Sequence, residues 1–142
     1  MPKRVYKSHN PGETEEIGST LAKTLSKGDR VGLVGELGSG KTCFVRGLAR
    51  GLGSEGYIKS PSFTMINIYE GGRLPLYHID LYRIGRQEEF EETGLEEYIY
   101  GGGVSVIEWA DNVTGLLDRC NLVVKFSYMG ETEREIEVSV AD

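Results

Sequence analysis

The chain has 142 residues and a formal net charge of −6, with 39% hydrophobic and 27% charged residues, the make-up of one folded soluble domain with a core of its own. The acidic balance speaks against a surface that grips nucleic-acid phosphates unaided, DNA included, because such a grip needs a basic face; no apolar run approaches the ~18–20 residues of a membrane span. Cys43 and Cys120 sit in no CxxC pair and read as small buried hydrophobes of a cytoplasmic protein, and the basic start Met1-Pro2-Lys3-Arg4 runs into polar residues rather than a secretory leader.

Val5-Tyr6-Lys7-Ser8 reads as a short first strand. Asn10-Pro11 reads as a helix start, Asn as the cap and Pro at the first helical position. Ile17, Leu21 and Leu25 fall on one face at a spacing of four, and Gly28 is expected to end that helix. Val31-Gly32-Leu33-Val34 is the short apolar run of a buried parallel strand. Val45, Leu48, Ala49 and Leu52 mark a second helix. Thr64 to Tyr69 and Leu74 to Leu81 read as strands joined by the turn Glu70-Gly71-Gly72-Arg73. Residues 86–99 look helical and carry six glutamates, a pattern that most often means a solvated helix face. Val104-Ser105-Val106-Ile107 is another buried-type strand. Leu122, Val124, Phe126 and Tyr128 alternate with polar neighbours, as do Ile136, Val138 and Val140, so a hairpin turning at Met129-Gly130 closes the chain. The sum is a single α/β domain over residues 1–142: a P-loop NTPase-like sheet with a parallel core, antiparallel hairpins at its edge and helices on both faces.

Between the apolar strand and the second helix lies Gly35-Glu36-Leu37-Gly38-Ser39-Gly40-Lys41-Thr42, which fits G-x-x-x-x-G-K-[ST]. The glycines let successive backbone N–H groups turn toward phosphate oxygens, and the following helix adds its positive end. Lys41 reaches the β- and γ-phosphates and the Thr42 hydroxyl ligates Mg²⁺. The expected cofactors are therefore ATP or ADP with Mg²⁺. They are held by Glu36, Leu37, Gly38, Ser39, Gly40, Lys41, Thr42 and Cys43.

Such a loop needs a carboxylate at the end of a neighbouring strand to hold the metal or its waters. Asp80, closing Leu76-Tyr77-His78-Ile79, and Glu108, closing Val104–Ile107, both fit, and the pattern does not rank them. Trp109 follows Glu108 directly, and is either packing or a ring that closes over the site. His78 reads first as a strand-packing residue, with a base as the other reading. Ser60, Ser62 and Thr64 follow the loop's helix and place hydroxyls where switch segments sense the γ-phosphate; an ordinary turn around Pro61 is the other reading.

Five segments in one order resemble the TsaE (YjeE-type) ATPases of bacterial tRNA threonylcarbamoyladenosine synthesis. They are Gly35–Thr42, Lys59–Thr64, Tyr77-His78-Ile79-Asp80-Leu81-Tyr82-Arg83, Gly94-Leu95-Glu96-Glu97-Tyr98 and Val106-Ile107-Glu108-Trp109-Ala110-Asp111. The resemblance implies an ATPase that is weak alone. It implies TsaB and TsaD as partners, with TsaD performing the transfer and tRNA met only indirectly. It also implies that Thr42 and Glu108 ligate Mg²⁺, that Asp80 acts near the attacking water, and that Trp109 and Ser60–Thr64 respond to nucleotide state. Lys41, Asp80 and Glu108 are then the catalytic set. Ser62 and Cys43 stand where that family often has Thr, and the last hairpin carries no matching motif. Two other readings share the loop: a small-molecule kinase, for which Arg83 and Arg86 are the clustered candidates, and an assembly switch that holds nucleotide without turnover. A GTPase is disfavoured because no N-K-x-D segment occurs.

Overall fold

The computed structural model describes residues 3–36, 40–54 and 65–141. Among the described residues seven strands form one sheet: β1 Lys3–Ser8, β2 Arg30–Val34, β3 Ile66–Tyr69, β4 Leu76–Asp80, β5 Val104–Glu108, β6 Leu122–Tyr128 and β7 Arg134–Val140. Their spatial order is β1-β7-β6-β2-β5-β4-β3. The four central strands β6, β2, β5 and β4 run parallel to one another. Antiparallel partners finish both sides, β3 on β4 at one edge and β7 then β1 at the other. The expected α/β sheet is thus present, as are both hairpins.

Helix α1 covers Pro11–Ala22. It starts as its sequence dictates, with the Asn10 side chain accepting from the Glu13 N–H at 2.9 Å and Pro11 in the first turn, which satisfies one of the helix's orphan donors. It ends earlier than Gly28 suggests. The helix stops at Ala22, and residues 23–28 continue as turns closed by bonds such as Leu25 N–H to Ala22 O at 3.2 Å. Leu25 still reaches the core from beyond the helix end. Residues 86–99 also differ from one continuous helix: α3 Gln87–Thr93 and α4 Glu96–Ile99 are separated at Gly94. Its φ of 75° is open to glycine at little cost and halts the first helix there.

Side chains of each inner strand alternate between the two faces of the sheet. One face packs Val31, Leu33, Val106 and Val124 under α1 and under α2, which spans Lys41–Gly51. The other packs Ile79 and Ile107 under Phe90, Ile99, Val113 and Leu116, from α3, α4 and the chain that follows β5. Among the described residues no helix is long and apolar enough to cross a membrane.

The contact between α1 and α2 rests on glycines that periodicity does not mark. A Cβ on Gly47 would lie 2.0 Å from the Glu15 carbonyl oxygen, one on Gly18 2.4 Å from that of Phe44, and one on Gly51 2.4 Å from that of Ser19. In each case the obstacle is backbone. A side chain there must push the helices apart, and α2 begins at Lys41. Gly47→Ala is therefore expected to destabilise the protein by roughly 1–3 kcal/mol, the usual cost of overpacking a tight contact. Gly85→Ala, whose Cβ would meet only the Glu89 side chain at 3.7 Å, serves as the control and should stay within about 0.5 kcal/mol. Denaturant unfolding of the two variants checks both.

Candidate functional site

The site forms where β2 ends and α2 begins. β2 is buried and flanked by β6 and β5, so its last residues deliver the glycine loop to one rim of the sheet. Gly40 sits at the helix N-cap with φ 104°, a left-handed conformation suited to glycine, and among the described residues no side chain caps the helix. The first N–H groups of α2 stand at the positive end of an eleven-residue helix.

Lys41 opens α2 and is only 5% exposed. Its Nζ donates to the Gly35 carbonyl oxygen at 2.9 Å and stands 3.9 Å from Glu108 Oε1. The same ammonium lies 4.3 Å from the centre of the Trp109 ring, a cation–π contact. Burial lowers the Lys41 pKa, and Glu108, Asp80 and Asp111 work against that fall. One confined cation thus faces several carboxylates.

Both candidate acids reach this place. Asp80 and Glu108 are register partners at the ends of the parallel pair β4 and β5. Their environments differ. Glu108 is 6% exposed and takes a 2.5 Å hydrogen bond from His78 Nε2 through its second oxygen, Oε2. Asp80 is half-buried and accepts from the Tyr82 N–H at 2.9 Å. Burial raises the Asp80 pKa chiefly, and the Tyr82 bond pulls it down.

Trp109 holds a left-handed φ of 61° directly after β5, unusual for a bulky residue. That turn lays the indole back over Lys41. Tyr82 meets it edge-on at 5.1 Å. Thr42 and Cys43 are half-buried in the first turn of α2, and Glu36 is exposed. Leu37, Gly38, Ser39, Ser60, Ser62 and Thr64 lie outside the described residues. His78 is the member of this cluster that the pattern understates. It is fully buried, and a polar ring two residues before a strand-end acid, on the same face of the strand, is the signal that it bonds within the site.

Among the described residues no three His, Cys, Asp or Glu side chains group into a metal site by themselves. Glu108 and Thr42 offer a carboxylate and a hydroxyl, hard oxygen donors of the type that Mg²⁺ accepts beside phosphate oxygens.

A glycine loop joining a buried parallel strand to an uncapped helix, with acid-ended strands alongside, defines a P-loop protein of the α/β class. Residues 8–136 match the family model described as "Threonylcarbamoyl adenosine biosynthesis protein TsaE". The chain belongs to the TsaE family. It is 41% identical over 132 residues to the tRNA threonylcarbamoyladenosine biosynthesis protein TsaE of Treponema pallidum (strain Nichols), covering 93% of this chain and 97% of that one. It is 41% identical over 136 residues to the protein of the same name from Bacillus subtilis (strain 168), with 96% and 85% coverage. The crystal structure of YdiB from Bacillus subtilis superposes with a TM-score of 0.79 at 36% identity, over 99% of this chain and 87% of that one.

The elevated Asp80 pKa makes a stability prediction. A carboxyl whose folded value is raised costs stability once it ionises. The cost is complete above the folded value and absent below the ordinary one. Asp80→Asn, which keeps an acceptor for the Tyr82 N–H, is therefore expected to raise the thermal midpoint at pH 7 relative to the parent. The difference should shrink to nothing as the pH falls through the raised Asp80 value toward its ordinary range. Paired melting curves between pH 4 and pH 7 measure it.

Proposed function

We propose that this protein binds ATP with Mg²⁺ on the loop ending in Lys41-Thr42 and hydrolyses it in the assembly that places threonylcarbamoyladenosine on tRNA. Membership of the TsaE family supports the pathway. The observation that carries the site is the buried Lys41 ammonium, held between the loop's own carbonyl and Glu108 at the uncapped start of α2.

Each residue has a part that its surroundings favour. Lys41 exchanges the Gly35 carbonyl oxygen for a phosphate oxygen, a stronger, charge-assisted acceptor. The first N–H groups of α2 bind the same phosphates. Thr42 and Glu108 hold the metal, Glu108 because its carboxylate is already fixed and near the loop. When bound, magnesium neutralises charge across the β- and γ-phosphates. Asp80 orients the attacking water and receives its proton; a carboxylate made more basic by burial is suited to that role. Trp109 and Tyr82 shield the ammonium from solvent.

A carboxylate made more basic by burial at Asp80 favours turnover, so the switch without hydrolysis is the weaker reading. For a kinase, Arg86 is engaged with Glu89 at 3.5 Å on the surface and Arg83 is exposed, so neither points to a second-substrate lid. TsaB and TsaD are the proposed partners. With a net charge of −6, contact with tRNA passes through them rather than through this chain's own surface.

Phosphate release from ATP-Mg²⁺, measured alone and with TsaB and TsaD present, tests the proposal. Slow release alone and strong stimulation by the pair are expected. Lys41→Ala should lower the stimulated rate by roughly 10²–10³-fold, the usual loss for a donor aimed at developing charge. Nucleotide binding with no phosphate release under any condition would overturn the hydrolytic step.

A further inference from the structure

We infer that His78 is a positioning residue that fixes the Glu108 carboxylate for Mg²⁺. The inference rests on the ATP-Mg²⁺ reading above and adds to it a residue that touches neither nucleotide nor metal. His78 lies in the middle of β4, fully buried, with its Nε2 2.5 Å from Glu108 Oε2. An ionised carboxylate has no hydrogen to give, so Nε2–H is the donor. The other ring nitrogen, Nδ1, is buried and has no hydrogen-bond partner among the described residues. With the hydrogen on Nε2, Nδ1 carries only a lone pair, so no N–H is stranded in the core. In that tautomer the ring's N–H is directed at Glu108.

A packing role alone does not call for this arrangement. Position 78 faces Val106 across the ladder and lies among the buried residues of the sheet, where an aliphatic side chain would fill the space without an unpaired buried nitrogen. The histidine instead reaches from β4 to the acid that ends β5. It occupies Oε2 and leaves Oε1 turned to Lys41, 3.9 Å from Nζ. One oxygen is anchored and the other is presented to the loop. A ligating carboxylate held by an outer hydrogen bond binds metal with less reorganisation than a free one.

The test compares three variants by their reach. Gln places its amide N–H₂ near the position of Nε2, and Asn places it near Nδ1, too short for Glu108. Leu fills the volume with no donor. The measurements are nucleotide binding in EDTA, followed by Trp109 fluorescence, and the Mg²⁺ concentration for half-maximal phosphate release. His78→Asn and His78→Leu are expected to raise that concentration by ~10–100-fold with binding in EDTA shifted no more than about twofold. His78→Gln is expected to recover to within a few-fold of the parent. Circular dichroism melts confirm folding; should Leu fail to fold, the Asn and Gln pair carries the comparison. An unchanged Mg²⁺ requirement in Asn, or Gln behaving as Asn does, would overturn the positioning role while leaving the site intact. A parent protein with no Mg²⁺-dependent binding or turnover would instead sink the ATP-Mg²⁺ reading, and this inference with it.

Discussion

The register of three parallel strands governs everything at the rim of this sheet. β2 sets Leu33 beside Glu108, and β4 sets Asp80 beside the same residue. Side chains along a strand alternate faces, so a slip of one residue in β5 would turn Glu108 away from Lys41 and away from His78. The register is defended by burial. All five residues of β5 are buried, and Val104 and Val106 on one face and Ile107 on the other belong to different cores. Moving the strand would expose apolar surface on both sides. The chemistry at the rim is therefore held by hydrophobic packing several residues away.

How much of this the sequence discloses depends on the range over which each feature is encoded. The G-x-x-x-x-G-K-T pattern ahead of α2, the capped start of α1 and the turn at Gly71-Gly72 are local patterns, and each is legible as a pattern in the chain. Asp80 and Glu108 are legible as strand-end acids, because an apolar run closing in a carboxylate is also local. Their difference is not: one is buried against a histidine from a neighbouring strand and the other is half-exposed against its own turn. That distinction arises only once β4 and β5 pair. The end of α1 shows the same limit. Gly28 is a valid stop signal, but the helix ends at Ala22 and its close packing uses Thr14, Gly18 and Ala22, not the Ile17 and Leu21 stripe. The apolar stripe lies at the margin of the contact, partly buried, since backbone rather than side chain makes the closest approach.

That close approach ties the loop's helix to the amino-terminal segment. α2 cannot shift without moving α1, because the carbonyl oxygens of Glu15, Phe44 and Ser19 leave no slack at the glycines. Arg50 adds contacts from α2 to Glu15 and Glu16, but these are exposed and contribute little beside the packing. The N-terminus of α2 is thus a rigid platform, and the left-handed turn at Trp109 brings an aromatic ring to it from β5 at a conformational cost of about 1–3 kcal/mol.

The resting contacts of Lys41 set an entry threshold for ligands. Its ammonium already has a carbonyl, a carboxylate and an aromatic face, so an incoming anion competes with partners that are in place before it arrives. Its net gain is a difference, not a sum. Under the ATP-Mg²⁺ proposal, a chain of phosphates would offset that competition by also engaging the helix N–H groups. On the proposed reading, such a site favours anions that can use several donors at once, and this preference needs no residue beyond those that hold the lysine.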